Sequence, residues 1–174
     1  MEAKKILVPI DFSEYSEGVL NYALTMLENS QGGLILFHVL SKAFEVYTVD
    51  MESAESPFLA RAGEAGIGEG GLTYHDLTRK EIRRDLTEEA RIKLIDLIPV
   101  ALQKQVEIEV RVGEPYEEIL NFVQEQKIDM IVMGTHGRTG LAHLFLGSVA
   151  ERVVRHSPVP VVTISPLYKS AVKK

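Results

Sequence analysis

The chain has 174 residues, 45% hydrophobic and 25% charged, with a formal net charge of -6 and no cysteine. That length suits one domain with a sizeable core. The acidic balance speaks against nucleic acid as a partner, and the missing thiols exclude disulfides, zinc–cysteine sites and cysteine catalysis. Apolar runs fall short of the ~20 residues that span a membrane. Ile6 to Ile10 is too short for the apolar region of a signal peptide, so a soluble, cytoplasmic protein without membrane contact is expected.

Lys4 to Ile10 reads as the first strand, with Pro9 near its end, where a missing ladder donor costs least. Asp11-Phe12-Ser13 follows. Ser13 is a suitable N-cap for a helix whose Val19, Leu20, Ala23, Leu24 and Leu27 share one face. Leu34 to Leu40 is a second strand, apolar throughout except for His38. The stretch from Ser41 to Tyr74 has no sustained period and holds Gly63, Gly66, Gly68, Gly70 and Gly71. Its apolar residues exceed what a plain linker carries, so an insertion at about 41–74 that packs on a partner or near a pocket is expected.

Thr78 and Glu81 form a capping box for a long helix, with Ile82, Leu86, Ala90, Leu94, Leu97 and Ile98 as its buried stripe. Pro99 ends or kinks it. Val106 to Val112 alternates apolar and charged residues, the pattern of a strand near a sheet edge. Pro115 opens the next helix, with Glu117 and Glu118 in its first turn and Ile119, Phe122 and Val123 facing inward.

Ile128 to Met133 is a short apolar run, suited to a parallel strand buried on both faces. It empties into a loop carrying Gly134 and Gly137. Gly147-Ser148 follows, with Ser148 and Glu151 in a second capping box that starts a helix at Ser148. The helix stops near His156, because Ser157 precedes Pro158. A strand, a glycine loop of spacing G-x2-G-x9-G-S and a helix N-terminus together make a place for phosphate, since backbone N–H groups converge there and the helix dipole favours negative charge. Val159 to Ile164 is the last strand. Pro158 and Pro160 mark it as an edge. An exposed apolar edge needs a cover, and the same strand of a second copy supplies one, giving a two-fold homodimer. Residues 167–174 form a basic tail.

Strands alternating with helices imply an α/β fold with a parallel sheet, helices on both faces and right-handed crossovers. The special residues cluster after the first and fourth strands. In open sheets of this kind ligands sit where the strand order reverses. A five-stranded sheet of order 3-2-1-4-5 follows, within one domain over 1–166.

Lys4 to Glu14 (K-K-I-L-V-P-I-D-F-S-E), His38-Val39, Val112 to Tyr116 (V-G-E-P-Y) and Met133 to Val153 (M-G-T-H-G-R-T-G with L-G-S-V-A-E-R-V) resemble the universal stress protein family, in its ATP-binding, glycine-motif branch. The resemblance covers nearly the whole chain outside about Lys42 to Tyr74. It implies an ATP-binding, homodimeric Rossmann-like protein of stress responses. By motif, Pro9, Ile10 and Asp11 would touch ribose and adenine, and the Val39 backbone would read the adenine edge. Met133 and Gly134 would line base and ribose. His136, Gly137, Arg138, Gly147, Ser148 and Val149 would surround the phosphates. Asp11 is either a Mg²⁺ ligand, directly or through water, or an acid at a helix start. Arg138 is either a paired phosphate donor or a solvated residue. His136 and His143 fit loop packing or phosphate contact better than metal.

The chain lacks G-x-x-x-x-G-K-[ST] and S-G-G-x-D-S, and no nucleophile, base and orienter stand together in it. No catalytic residue is assigned. The expected function is an ATP-binding signalling or protective module, with a slow Mg-dependent ATPase or phosphotransferase as the alternative.

Overall fold

The computed structural model describes residues 5–28, 32–41, 79–135 and 146–165. The expected insertion beyond Ser41, the Thr78 cap, the side chain of Ile82, residues His136, Gly137, Arg138 and His143, and the basic tail lie outside the described residues.

The elements run β1 (Lys5–Pro9), α1 (Ser16–Glu28), β2 (Gly33–Ser41), α2 (Arg79–Leu97), β3 (Val106–Gly113), α3 (Pro115–Gln126), β4 (Met130–Gly134), α4 (Ser148–His156) and β5 (Val161–Ile164). All strand pairs are parallel and the sheet order is β3-β2-β1-β4-β5. The expected order 3-2-1-4-5 is therefore the observed one.

Successive side chains on a strand point to opposite faces, so each central strand feeds two cores. Ile6, Val8, Leu34, Leu36 and Val132 pack under α1 and α2, against Val19, Leu20, Ala23, Leu24, Ala90, Leu94 and Ile98. Leu7, Ile35, Phe37, Ile131 and Met133 pack on the opposite face under α3 and α4, against Ile119, Phe122, Val123, Ala150 and Val153. Both cores explain why these strands read as unbroken apolar runs rather than alternating ones. The edge strand β3 alternates because only one of its faces is well covered. Val106 is buried while Glu107 is exposed.

Several boundaries differ from the expected ones. The first helix begins at Ser16, and Ser13 instead accepts the Ser16 N–H in a turn (3.0 Å). The Asp11 carboxylate is the reason: its Oδ1 accepts both the Ser13 N–H (3.0 Å) and the Ser16 hydroxyl (3.1 Å), so the local acceptor lies upstream of Ser13. α4 begins at Ser148 as expected, but Ser148 is its first helical residue rather than its cap. Gly147 occupies the cap position, no side-chain hydrogen bond caps the helix, and the expected box with Glu151 does not form. The Glu151 N–H is already engaged with the Gly147 carbonyl at 2.8 Å, which leaves nothing for a Ser148 cap to satisfy there. The last two strands start later than expected. Lys127 closes α3 in a left-handed conformation (φ 52°), and β4 begins at Met130. Pro160 still contributes to the sheet, because its carbonyl accepts the Ile131 N–H (3.0 Å).

Candidate functional site

β1 and β4 are neighbours whose onward chains part in opposite directions: β1 leads to α1 and β2 on one side, and β4 leads to α4 and β5 on the other. A crevice must open beyond their C-terminal ends. A cavity of about 320 Å³ lies there. Pro9, Ile10, Asp11, Val39, Met133, Gly134, Gly147, Ser148 and Val149 all line it. These are the expected site residues that fall within the described part of the chain, and the fold brings every one of them to one place.

The cavity has two characters. Ile10, Phe37, Val39, Ile119 and Met133 give it an apolar wall. Gly134, Thr135, Gly147 and Ser148 give it a polar end at the start of α4. The first N–H groups of a helix have no partner within it, and its dipole adds partial positive charge. Gly147, which has no Cβ, lines this end just before the helix. Ser148 is exposed in the first turn of α4, does not serve as the cap, and lines the polar end of the cavity.

Thr135, which the sequence reading did not single out, holds this end together. Its N–H donates to the Ile164 carbonyl (3.0 Å), its hydroxyl donates to the same oxygen (3.3 Å), and its carbonyl accepts the Gly147 N–H (2.6 Å). One residue thus ties the end of β4 to the end of β5 and to the entry of α4. It sits inside the glycine motif, one position after Gly134, so its place was visible although its bonding was not. Ile119 was also missed as a lining residue. The sequence pattern marks it as a core residue of α3, and only the packing of α3 beside β2 carries it to the cavity.

On the other side, Asp11 is part-buried with Oδ1 bonded to the α1 entry. Tyr15 stands at the rim, where a hydrogen bond from its hydroxyl to Glu14, and then the charge of Glu14, raise its pKa. It therefore remains a neutral phenol through the physiological range. Among the described residues, no group of three or more His, Asp or Glu could hold a metal ion.

The chain matches the model of the universal stress protein family over residues 2–165. It belongs to that family. Universal stress protein MJ0577 of Methanocaldococcus jannaschii is 33% identical over 164 residues, covering 92% of this chain and 94% of that one. Universal stress protein MJ0531 of the same organism is 30% identical over 161 residues, covering 92% and 81%. Among solved structures, that of MJ0577 superposes with a TM-score of 0.71 at 28% identity, covering 97% of this chain and all of that one. The universal stress protein fold is thus common to both, and no helix among the described residues is long and apolar enough to cross a membrane.

Proposed function

We propose that this universal stress protein binds an adenine nucleotide, ATP by its glycine motif, and serves as a nucleotide-dependent signalling or protective module in the cytoplasm. The observation that carries the proposal is a single cavity with an apolar wall at Val39 and Met133 and a helix N-terminus at Gly147 and Ser148. A flat apolar base with a charged phosphate tail is the ligand class that matches both ends. Two members of the fold lend support to that class. A universal stress protein solved in complex with cAMP shares this fold (TM-score 0.53, 19% identity), as does one from Archaeoglobus fulgidus solved in complex with dAMP (TM-score 0.52, 20% identity).

Each residue then has a task. Ile10, Val39 and Met133 sandwich the base and exclude water from it. Pro9, Asp11 and Gly134 border the ribose. The N–H groups at the α4 entry and the Ser148 hydroxyl receive phosphate oxygens. His136, Gly137 and Arg138, in the same motif, are proposed to complete the phosphate end. Among the described residues no metal-holding group of three or more His, Asp or Glu includes Asp11, so Mg²⁺ is proposed there only as an ion held chiefly by nucleotide phosphates and water. Asp11, whose Oδ1 also accepts from the α1 entry, is proposed to meet that ion at the cavity wall, directly or through water. The homodimer is proposed to form along β5, which among the described residues pairs with β4 on one side only.

Calorimetric titration with ATP, with and without Mg²⁺, tests the proposal, alongside chromatography of nucleotide released from the denatured protein. Saturable ATP binding is expected. A flat titration and no released nucleotide would refute it. Turnover above an Asp11→Ala control would instead favour the slow ATPase.

A further inference from the structure

His38 is a buried polar side chain in the middle of an otherwise apolar central strand, only 5% exposed. Such a group is costly unless it is bonded. Its Nδ1 lies 2.6 Å from the Ile10 carbonyl oxygen. A carbonyl can only accept, so Nδ1 carries the proton in this contact. The His38 ring also meets the Phe12 ring at a centroid distance of 4.5 Å and an angle of 47°. Phe12 has φ 60°, a left-handed conformation that a residue with a side chain adopts only where its surroundings enforce it.

The register shows what this contact changes. β1 and β2 pair in parallel through Pro9 and Phe37, and the Ile10 N–H donates to the Phe37 carbonyl at 2.8 Å. In a parallel ladder the next bond would run from the Val39 N–H to the Ile10 carbonyl. Instead, the His38 ring takes that carbonyl. Phe37 directs its backbone groups toward β1, and so does Val39, two residues on. At Val39 the first strand has already turned away toward α1, and Val39 borders the cavity.

We propose that His38 is a positioning residue: by holding the Ile10 carbonyl, it stops the β1–β2 ladder one bond early and turns the Val39 N–H to the cavity to read the edge of the base. The ring contact with Phe12 ties a second residue of the same loop to His38, so that Ile10 and Asp11 keep their places at the wall. This deepens the nucleotide reading of the cavity and rests on it for the identity of the ligand. The release of Val39 stands on the ladder alone.

The test compares His38→Leu with His38→Asn, whose side-chain N–H can take the place of Nδ1. Two measurements are made at a temperature where circular dichroism shows each variant folded. The first is hydrogen exchange of the Val39 amide without ligand. In His38→Leu the Ile10 carbonyl is left for the Val39 N–H, the ladder gains its bond, and exchange slows at least ~10-fold; His38→Asn exchanges like the wild type. The second is ATP affinity. It falls about tenfold in His38→Leu, the loss of roughly one hydrogen bond to the base, and is restored by His38→Asn. Unchanged Val39 exchange in His38→Leu overturns the proposal. So does wild-type ATP affinity in that variant. If the wild type itself binds no ATP, the nucleotide reading fails, and the exchange comparison still decides whether His38 releases Val39.

Discussion

Asp11 separates two roles that a single substitution would confound. Its Oδ1 staples the loop after β1 to the start of α1 through the Ser13 N–H (3.0 Å) and the Ser16 hydroxyl (3.1 Å). Each is a part-buried bond to a carboxylate, worth about 1 kcal/mol net, so Asp11→Ala should lose about 2 kcal/mol. For a chain of this size that is a fall in Tm of about 6 °C. Asp11→Asn retains an oxygen at the same position and loses only the charge. It should melt within about 2 °C of the wild type, since it keeps both donors satisfied. The proposed Mg²⁺ role depends on charge rather than on that oxygen. Asp11→Asn should therefore bind ATP without Mg²⁺ as the wild type does, yet lose the increase in affinity that Mg²⁺ brings. Thermal denaturation and calorimetry with and without Mg²⁺ measure the two effects separately. An Asp11→Ala protein as stable as the wild type would refute the staple. An Asp11→Asn protein with a full Mg²⁺ effect would refute the ion-holding role.

Three further outcomes are expected. The carbonyls of Pro160 and Ile164 face β4, so in β5 the alternate residues Val161 and Thr163 direct their N–H groups outward. Thr163→Pro deletes an outward donor and leaves the β4 ladder intact; by sedimentation it should be monomeric if β5 is the dimer seam, and a dimer would place the seam elsewhere. Phe12→Ala and Phe12→Gly both remove the ring, but only glycine is at ease at φ 60°, so Phe12→Gly should be more stable by about 1 kcal/mol in chemical denaturation, the reverse of the usual order. Arg111 donates to Glu125 at 2.7 Å, and that hydrogen bond holds the Glu125 carboxyl below its ordinary pKa. A depressed carboxyl contributes stability above its unfolded pKa and loses it as pH falls through the folded value. Glu125→Gln should therefore lower Tm slightly near neutral pH and match the wild type in acid; an equal difference at both ends would show that charge is not the cause. Solvent exposure keeps this effect small.

The fold was legible because periodicity and topology agree. Largely apolar runs at Ile6–Ile10, Leu34–Leu40 and Ile128–Met133 have one economical home, strands covered on both faces, and the charged alternation of Val106–Val112 marks an edge. Helix ends read from proline and charge also matched: Pro115 opens α3, and Ser157 leaves α4 in an extended conformation. Caps read from a serine did not, although α4 does begin at Ser148 as expected. At both Ser13 and Ser148 another group satisfies the local donors first, the Asp11 carboxylate in one case and the Gly147 carbonyl in the other. A capping signature states what a side chain can do; the competition among acceptors is settled only in three dimensions.

The candidate site was legible to the same degree and for the same reason. Residues on the glycine motif and at the end of β1 are placed by the topology, so naming the strands placed Ile10, Asp11, Met133 and Gly147 at one cavity. What the sequence did not reveal is how the backbone there departs from regular structure. His38 reads as a polar residue interrupting an apolar strand, and Phe12 as an ordinary aromatic residue after an aspartate. Only the register identifies the Ile10 carbonyl as the group His38 takes from the ladder, and only the φ of Phe12 shows that the chain is forced at that point. A regular ladder would have closed over Val39. The proposed base contact needs a backbone donor that the sheet does not use, and a side chain that stands in for that donor at the Ile10 carbonyl is the proposed means of keeping one.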